Sequence, residues 1–289
     1  MSATTAPAIA APPRRPGIVM RLLRDPAAAI SLIFILAVIF AAIFAPWIVS
    51  GDPYETDLRA TLQPPGGEYL LGTDAQGRDL VVRLIYGFRV TLTMALTAIL
   101  VGGGLGTLLG FFAAFYRRLD TPIMRVMDVL LSVPAILFGL AIAAVAGPGV
   151  PAVVIAMSIG TVPLVARVVR SSALVESERD YMEAARAVGV SDRRLIFVHL
   201  APNCLSPLFV FLTLRLGQVI LLGSALSFIG LGAQPPTAEL GAMAAAGRQF
   251  LFFAPHIAVV PSLAIFAIVL AFNVLGDALR DVLDPKLGV

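Results

Sequence analysis

Residues 177–203 read SERDYMEAARAVGVSDRRLIFVHLAPN. Glu178, Arg179, Asp180, Glu183, Arg186, Asp192, Arg193 and Arg194 all fall within it. The chain around it is of another kind. Across 289 residues, 58% are hydrophobic and only 13% are charged, where a soluble domain carries about 25% charged residues. Such a composition belongs to a membrane protein, so a long polar segment in mid-chain needs a reason.

The spans follow from the uncharged stretches, since crossing a bilayer as a helix takes about 20 apolar residues. Working outward from residues 177–203, one such stretch runs from about Ser206 to Ile229 and the next from about Pro255 to Gly276. On the other side, Val129–Ala166 is long enough for two short spans, broken at GPGVP (Gly147–Pro151), where proline ends a helix and glycine permits the turn. Val90–Tyr116 and Pro26–Gly51 complete six expected helices. The first is too long and begins too late for a cleaved leader, and reads as an anchor. The expected organisation is a tail over residues 1–25, a first span over 26–51, an outer loop over 52–88, a five-helix core over 89–277 holding a polar loop over 171–205, and a tail over 278–289.

Orientation follows from the basic residues. If the N-terminus is inside, the inner pieces hold Arg14, Arg15, Arg21, Arg24, Arg117, Arg118, Arg125, Arg167, Arg170, Arg179, Arg186, Arg193, Arg194, Arg280 and Lys286. The outer pieces, a loop over 52–88 and a turn-rich stretch over 230–254, hold only Arg59, Arg78, Arg83, Arg248 and, at the edge of the first, Arg89. Both termini and residues 177–203 therefore read as cytoplasmic. The net charge of +3 is a topology signal here and not a nucleic-acid footprint.

Several chemistries are excluded. Cys204 is the single cysteine and His199 and His256 are the two histidines, so no intrachain disulfide, cysteine-rich metal site or histidine cluster is available. The single lysine, Lys286, follows Pro285, so no Gly-Lys pair exists to build a phosphate-binding loop. If ATP drives this protein, another chain binds it. No catalytic, cofactor-binding or metal-binding residue is assigned.

Within residues 177–203, Ser177 is placed to cap a helix, with Asp180 returning the bond. Tyr181, Ala184, Ala185 and Val188 recur at helical spacing, and Gly189 stands where a left-handed C-cap is expected. Ser191 opens a second helix to about Leu200, which Pro202 stops. Small alanines on an apolar face, flanked by Glu183 and Arg186, suit docking into a groove on a soluble partner. The same pattern suits a helix lying in the lipid interface.

Glu183-Ala184-Ala185, Gly189 and then Pro202 resemble the EAA loop of ABC-transporter permeases. LGTDAQGRDLVVRLIYGFRVTL (71–92), ALSFIGLGAQPPTAELGAM (225–243) and LAFNVLGDALRDVLDPKLG (270–288) are similar to the dipeptide/oligopeptide/nickel permease family, in its DppC/OppC-like second permease subunit. The likeness runs from about Leu71 to the C-terminus, and the first span fits loosely. It implies an all-α integral membrane protein of six transmembrane helices with a MetI-like type-1 ABC importer permease core, in a bacterial inner membrane. It implies a sister permease as partner, two cytoplasmic ATP-binding subunits and an extracytoplasmic substrate-binding protein. The chain itself would not be an enzyme. Glu183, Ala184, Ala185 and Gly189 would form the ATPase-coupling site, with Tyr181 and Arg186 as neighbouring contacts. Two positions depart from the family pattern: Leu240, preceded by Glu239, stands where a tryptophan is frequent, and Tyr69-Leu70 where histidine-proline is common.

Arg215 lies inside the fifth span, where a charge costs at least about 2.5 kcal/mol on insertion scales. It reads as lining a translocation path, or as paired at a subunit interface. Gly102, Gly103, Gly104, Gly106 and Gly110 read as helix packing. Asp74, Arg78 and Asp79 read as a salt-bridged turn on the outer surface, of little energetic weight. Asp277, Asp281 and Asp284 with Arg280 read as a solvated helix end. A His199/Cys204 catalytic pair lacks any orienting group. A secondary transporter would show buried carboxylates and repeats, and no Asp or Glu falls in an expected span.

Overall fold

One long seam in the protein is lined by glycine. In a computed structural model describing residues 18–283, helix α4 (Leu80–Phe115) runs against helix α7 (Val150–Ser177). A Cβ on Gly102 would sit 2.5 Å from the Ser158 carbonyl oxygen, on Gly106 2.6 Å from that of Val162, and on Gly110 2.7 Å from that of Ala166. Both sides of the seam recur every four residues, so the two backbones touch along a ridge that any side chain would push apart. Gly103 meets Leu212, and Gly104 faces open space.

The described residues are helical apart from turns and two isolated bridges. Helix α1 (Ile18–Arg24) precedes α2 (Pro26–Ile43) and the short α3 (Ala45–Ile48). After α4 come α5 (Arg117–Ser132) and α6 (Ala135–Ala146), then α7 and α8 (Asp180–Ala187). The chain continues through α9 (Asp192–Arg194), α10 (Ala201–Phe228), α11 (Leu240–Gly247) and α12 (His256–Leu283). Five helical stretches, α2, α4, α7, Asp192–Phe228 and α12, are long and apolar enough to cross a membrane. The sixth candidate is α5 with α6, which are bent by 85° at their junction. The main core draws on α2, α4, α7, α10 and α12.

Several elements depart from the sequence expectation. Helix α4 begins at Leu80 and not at Val90, because Asp79 accepts a hydrogen bond from Val81 N at 2.6 Å and caps it. Its 36 residues measure about 54 Å, longer than a hydrocarbon core of about 30 Å, so one end stands out of it. The chain breaks at GPGVP as expected, between α6 and α7. The third expected span is not straight: Pro134 opens α6 at the sharp bend. Helix α5 instead lies against α7, held by Arg170 on Asp120 (2.5 and 2.6 Å) and Arg167 on Asp128 (2.5 Å). Arg14, Arg15, Asp284 and Lys286 lie outside the described residues.

Ser177 does not cap a helix. It belongs to α7, and its hydroxyl donates back to Leu174 O at 2.9 Å, as serine does inside a helix. Pro202 stops nothing either. Leu195–Leu200 form a π-helical stretch, in which Ala201 N donates to Ile196 O, and helix runs unbroken from Asp192 to Phe228. The wider turn re-routes the bond that proline cannot make.

One end of the bundle carries residues 52–79 and the segment 230–255, and is called here the Asp74 end. Asp74 is buried and accepts from Arg78 Nε at 2.6 Å, while Arg83 Nε lies 3.3 Å from the same oxygen. Arg83, only 5% exposed, also donates to Pro53 O at 2.8 Å. The charged turn expected on the surface is therefore a buried clasp. Helix α11, within a segment read as an outer loop, packs into the bundle. Glu239 is almost fully buried, takes Thr91 Oγ1 at 3.0 Å and caps α11 through Gly241 N (3.1 Å) and Ala242 N (2.9 Å). A Cβ on Gly241 or Gly247 would clash with the backbone of Ser224 or Ala258.

Candidate functional site

The opposite end is built on α8, and is called here the Tyr181 end. Its anchor is one side chain: Met182, 0% exposed, packs with Ala185, Leu195, Ile196 and Leu200. The helix ends in a Schellman motif, with Gly189 N donating to Arg186 O at 3.0 Å and Val190 N to Ala185 O at 3.2 Å. Gly189 holds φ +77°, the left-handed conformation the sequence assigned to it.

Under α8 lies a polar knot. Glu176, the last buried residue of α7, accepts Tyr181 Oη at 2.8 Å and pairs with Arg179 Nε at 2.9 Å. Asn203 Nδ2 donates to Tyr181 Oη at 3.0 Å and to His199 O at 2.8 Å. Three segments, α7, α8 and the head of α10, are thereby tied together. Burial first, and then the hydrogen bond to Glu176, push the Tyr181 phenol above its ordinary range.

The expected coupling residues divide over this scaffold. Glu183, Ala184, Arg186 and Gly189 are exposed, and Tyr181 is 37% exposed. Ala185 turns inward beside Met182. The outward face is therefore Tyr181, Ala184 and Val188, the last 79% exposed, with Glu183 and Arg186 flanking. Arg186 also lies 6.0 Å from the centroid of the Phe115 ring. The sequence passed over Met182, Glu176 and Asn203. Met182 was legible as the one long apolar residue three before Ala185, whereas Glu176 and Asn203 join Tyr181 only in three dimensions.

Among the described residues His199 and Cys204 are not brought together as a bonded pair. Cys204 is buried, and its neighbour His199 takes part through its carbonyl oxygen. Among the described residues no cluster of His, Cys, Asp or Glu is arranged to hold a metal ion. What the arrangement offers is a surface: a short helix with small and apolar residues outward, charges at its flanks, and a rigid underside.

Arg215 stands apart, at the middle of α10 and half-buried. Its Nη1 donates to Gln218 Oε1 at 2.7 Å and its Nη2 to Gly160 O at 3.2 Å. Among the described residues no carboxylate lies within salt-bridge distance of it.

With the geometry in place, known proteins provide the frame. The family described as "Binding-protein-dependent transport system inner membrane component" matches residues 106–289. The N-terminal transmembrane domain of oligopeptide transport permease C matches residues 17–65. The di/tripeptide transport system permease protein DppC of Pseudomonas aeruginosa is 44% identical over 263 residues, covering 89% of this chain and 87% of its own. The glutathione transport system permease protein GsiD of Pectobacterium atrosepticum is 42% identical, covering 92% and 89%. A provisionally named peptide transport system permease protein of Brucella suis reaches 47%, covering 93% and 91%. Among solved structures, the MetNI methionine ABC transporter in inward-facing form superposes with a TM-score of 0.52 at 21% identity, over 70% of this chain and 97% of that one. That last likeness concerns the fold. Helices long and apolar enough to cross a membrane, and close sequence kinship along nearly its full length, place this chain among the binding-protein-dependent transport permeases, as a multi-pass permease subunit of an ABC importer of the inner membrane.

Proposed function

We propose that this permease imports peptides or related small solutes, and that α8 is the handle by which separate ATP-binding subunits move it. The observation that carries this reading is the outward face of Tyr181, Ala184 and Val188. At Ala184 and Val188 it is apolar and exposed among the described residues, and it is backed by a fixed underside to which Tyr181 is tied. A solvated loop would gain nothing from burying Met182 beneath an exposed valine. A docking helix gains stiffness, so that force applied to its outer face reaches α7 and α10 through Met182 and the Glu176–Tyr181–Asn203 knot.

On this reading the Tyr181 end is cytoplasmic, together with both termini, in accord with the arginine distribution. The Asp74 end faces outward and meets the substrate-binding protein. A sister permease completes the complex as a heterodimer, two ATP-binding subunits receive the two docking helices, and no nucleic acid takes part. The solute class comes from the names of the relatives, which include di/tripeptide and glutathione permeases. The dipeptide/oligopeptide/nickel resemblance extends it to nickel complexes. Arg215 belongs to the translocation path.

The test is co-purification from native membranes in mild detergent, for the wild type and Glu183→Arg. Glu183 is exposed and makes no contact the fold depends on. The wild type is expected to bring down an ATPase and a second permease. Glu183→Arg is expected to lose the ATPase and keep the permease. Full retention of ATPase by the variant sinks the docking assignment, and binding of purified variant and wild type to vesicles with equal ATPase recovery points to an interfacial role for α8.

A further inference from the structure

Arg215 carries a full charge at mid-span with only neutral partners. It is preceded in α10 by 14 residues and followed by 13. At 1.5 Å per residue, about 20 Å of helix separates it from either end, beyond what an arginine bridges by reaching toward headgroups. A guanidinium offers five N–H donors, and the two hydrogen bonds it makes go to an amide and a backbone carbonyl. Among the described residues, Nε is buried with no partner. Neutral acceptors ease the desolvation of such a charge but do not balance it.

The surroundings add to the imbalance. The carbonyl that Arg215 bonds belongs to Gly160, whose Cβ position would lie 3.3 Å from the Ala135 Cβ. Ala135 is the first residue of α6, which starts at the 85° bend with no side-chain cap. The positive end of a half-helix therefore stands beside the arginine. On the other side Gln218 and Leu221 are exposed, so α10 presents this face to no other described element.

Resting on the permease reading above, we infer that Arg215, with Gln218 beside it, is a subsite for the carboxylate of the solute in transit. Nε–H and an Nη–H form the fork that matches a carboxylate with two parallel bonds, and Nε is the donor left without one. The side chain is half-exposed and long, so a change of rotamer turns the Nε edge to the open face. The Nη–H beside Nε–H belongs to Nη2, which Gly160 O shares with the incoming group, while Gln218 keeps Nη1. Binding of this kind is transient by construction, because the arginine keeps two neutral partners to return to.

The experiment uses the complete complex in proteoliposomes: this chain, its partner permease, its ATP-binding subunits and its binding protein. The probes are one dipeptide as free acid and as C-terminal amide, each at a concentration saturating the binding protein. In Arg215→Gln the ratio of acid to amide uptake is expected to fall about tenfold or more from the wild-type ratio, the loss expected for charge-assisted hydrogen bonds. Arg215→Lys, which keeps the charge and loses the fork, is expected to fall between. An unchanged ratio, with both probes slowed alike, overturns the subsite and leaves a structural arginine. Loss of the second permease from the purified Arg215→Gln complex also overturns it, by assigning the missing carboxylate to the sister subunit. If the intact wild-type complex moves neither probe, the peptide reading itself has failed, and the subsite falls with it.

Discussion

The two ends of this protein use the same chemical parts to opposite purposes. At the Asp74 end a buried carboxylate is paired with Arg78 and Arg83, and Arg83 is itself buried and reaches across to Pro53. At the Tyr181 end a buried carboxylate, Glu176, is paired with Arg179, but that arginine is exposed and the tyrosine on the other oxygen is partly so. One network buries Asp74 and Arg83 and leaves Arg78 at its edge, the other buries only its root. A network closed on itself fixes the fold. A network whose outer members are wet fixes a surface and leaves that surface free to be used. The difference lies in burial, not in residue type, because a charge pair is weak in water and strong, with costly failure, out of it.

Three substitutions can break or sharpen that contrast. The largest effect is expected from Asp74→Ala, which strands Arg83 inside the protein. Removing one partner of a buried pair costs about 3–5 kcal/mol, so folded yield and thermal unfolding in detergent should drop severely. Asp74→Ala with near wild-type stability would show that the clasp is a surface feature after all. Next comes Met182→Ala, which deletes the single anchor of α8 at a cost of about 2–5 kcal/mol. The loss should be local, with faster amide exchange over residues 180–190 while α4 and α7 keep their protection, and with transport uncoupled from ATP hydrolysis. Uniformly faster exchange along the chain would instead make α8 part of the global core.

The smallest is Tyr181→Phe. It removes the hydroxyl shared by Glu176 and Asn203, worth about 1 kcal/mol. The folded phenol is raised above the ordinary value of 10.0, so its neutral form supplies the stability. That contribution is fully present below pH 10 and is lost as pH rises through the raised value. The gap in unfolding temperature between wild type and Tyr181→Phe should therefore be constant from neutral pH to about pH 9 and close at higher pH. A gap that closes near neutrality would assign the titration to another group.

Much of the molecule was legible before its structure. Composition pointed to the membrane, uncharged runs marked five of the long apolar helices, GPGVP marked a break and Gly189 its left-handed cap. The errors share one cause. Ser177 and Pro202 were read as helix boundaries from local propensity, and tertiary context overrode both: α7 carries on through the serine, and a π turn absorbs the proline. Glu239 and α11 were read as an outer loop because polar, glycine-rich sequence belongs at the surface in general. Here Thr91 and the two backbone amides satisfy the carboxylate, and Gly241 and Gly247 let the segment sink against α10 and α12.

Of the candidate site, the sequence located α8 and most of its outward residues, because helical spacing and glycine chemistry are local properties. It did not separate Ala185 from Ala184, since facing in or out depends on what stands behind the helix. By itself, then, the sequence determined that this is a helical membrane protein with a polar segment in mid-chain, no nucleotide loop and one arginine within an expected span. Only the tertiary structure decided which charges are closed on themselves and which are left open. Burial is set by neighbours far along the chain, and burial is what turns a charged residue into a clasp, a flank of an exposed helix or an arginine with neutral partners at membrane depth.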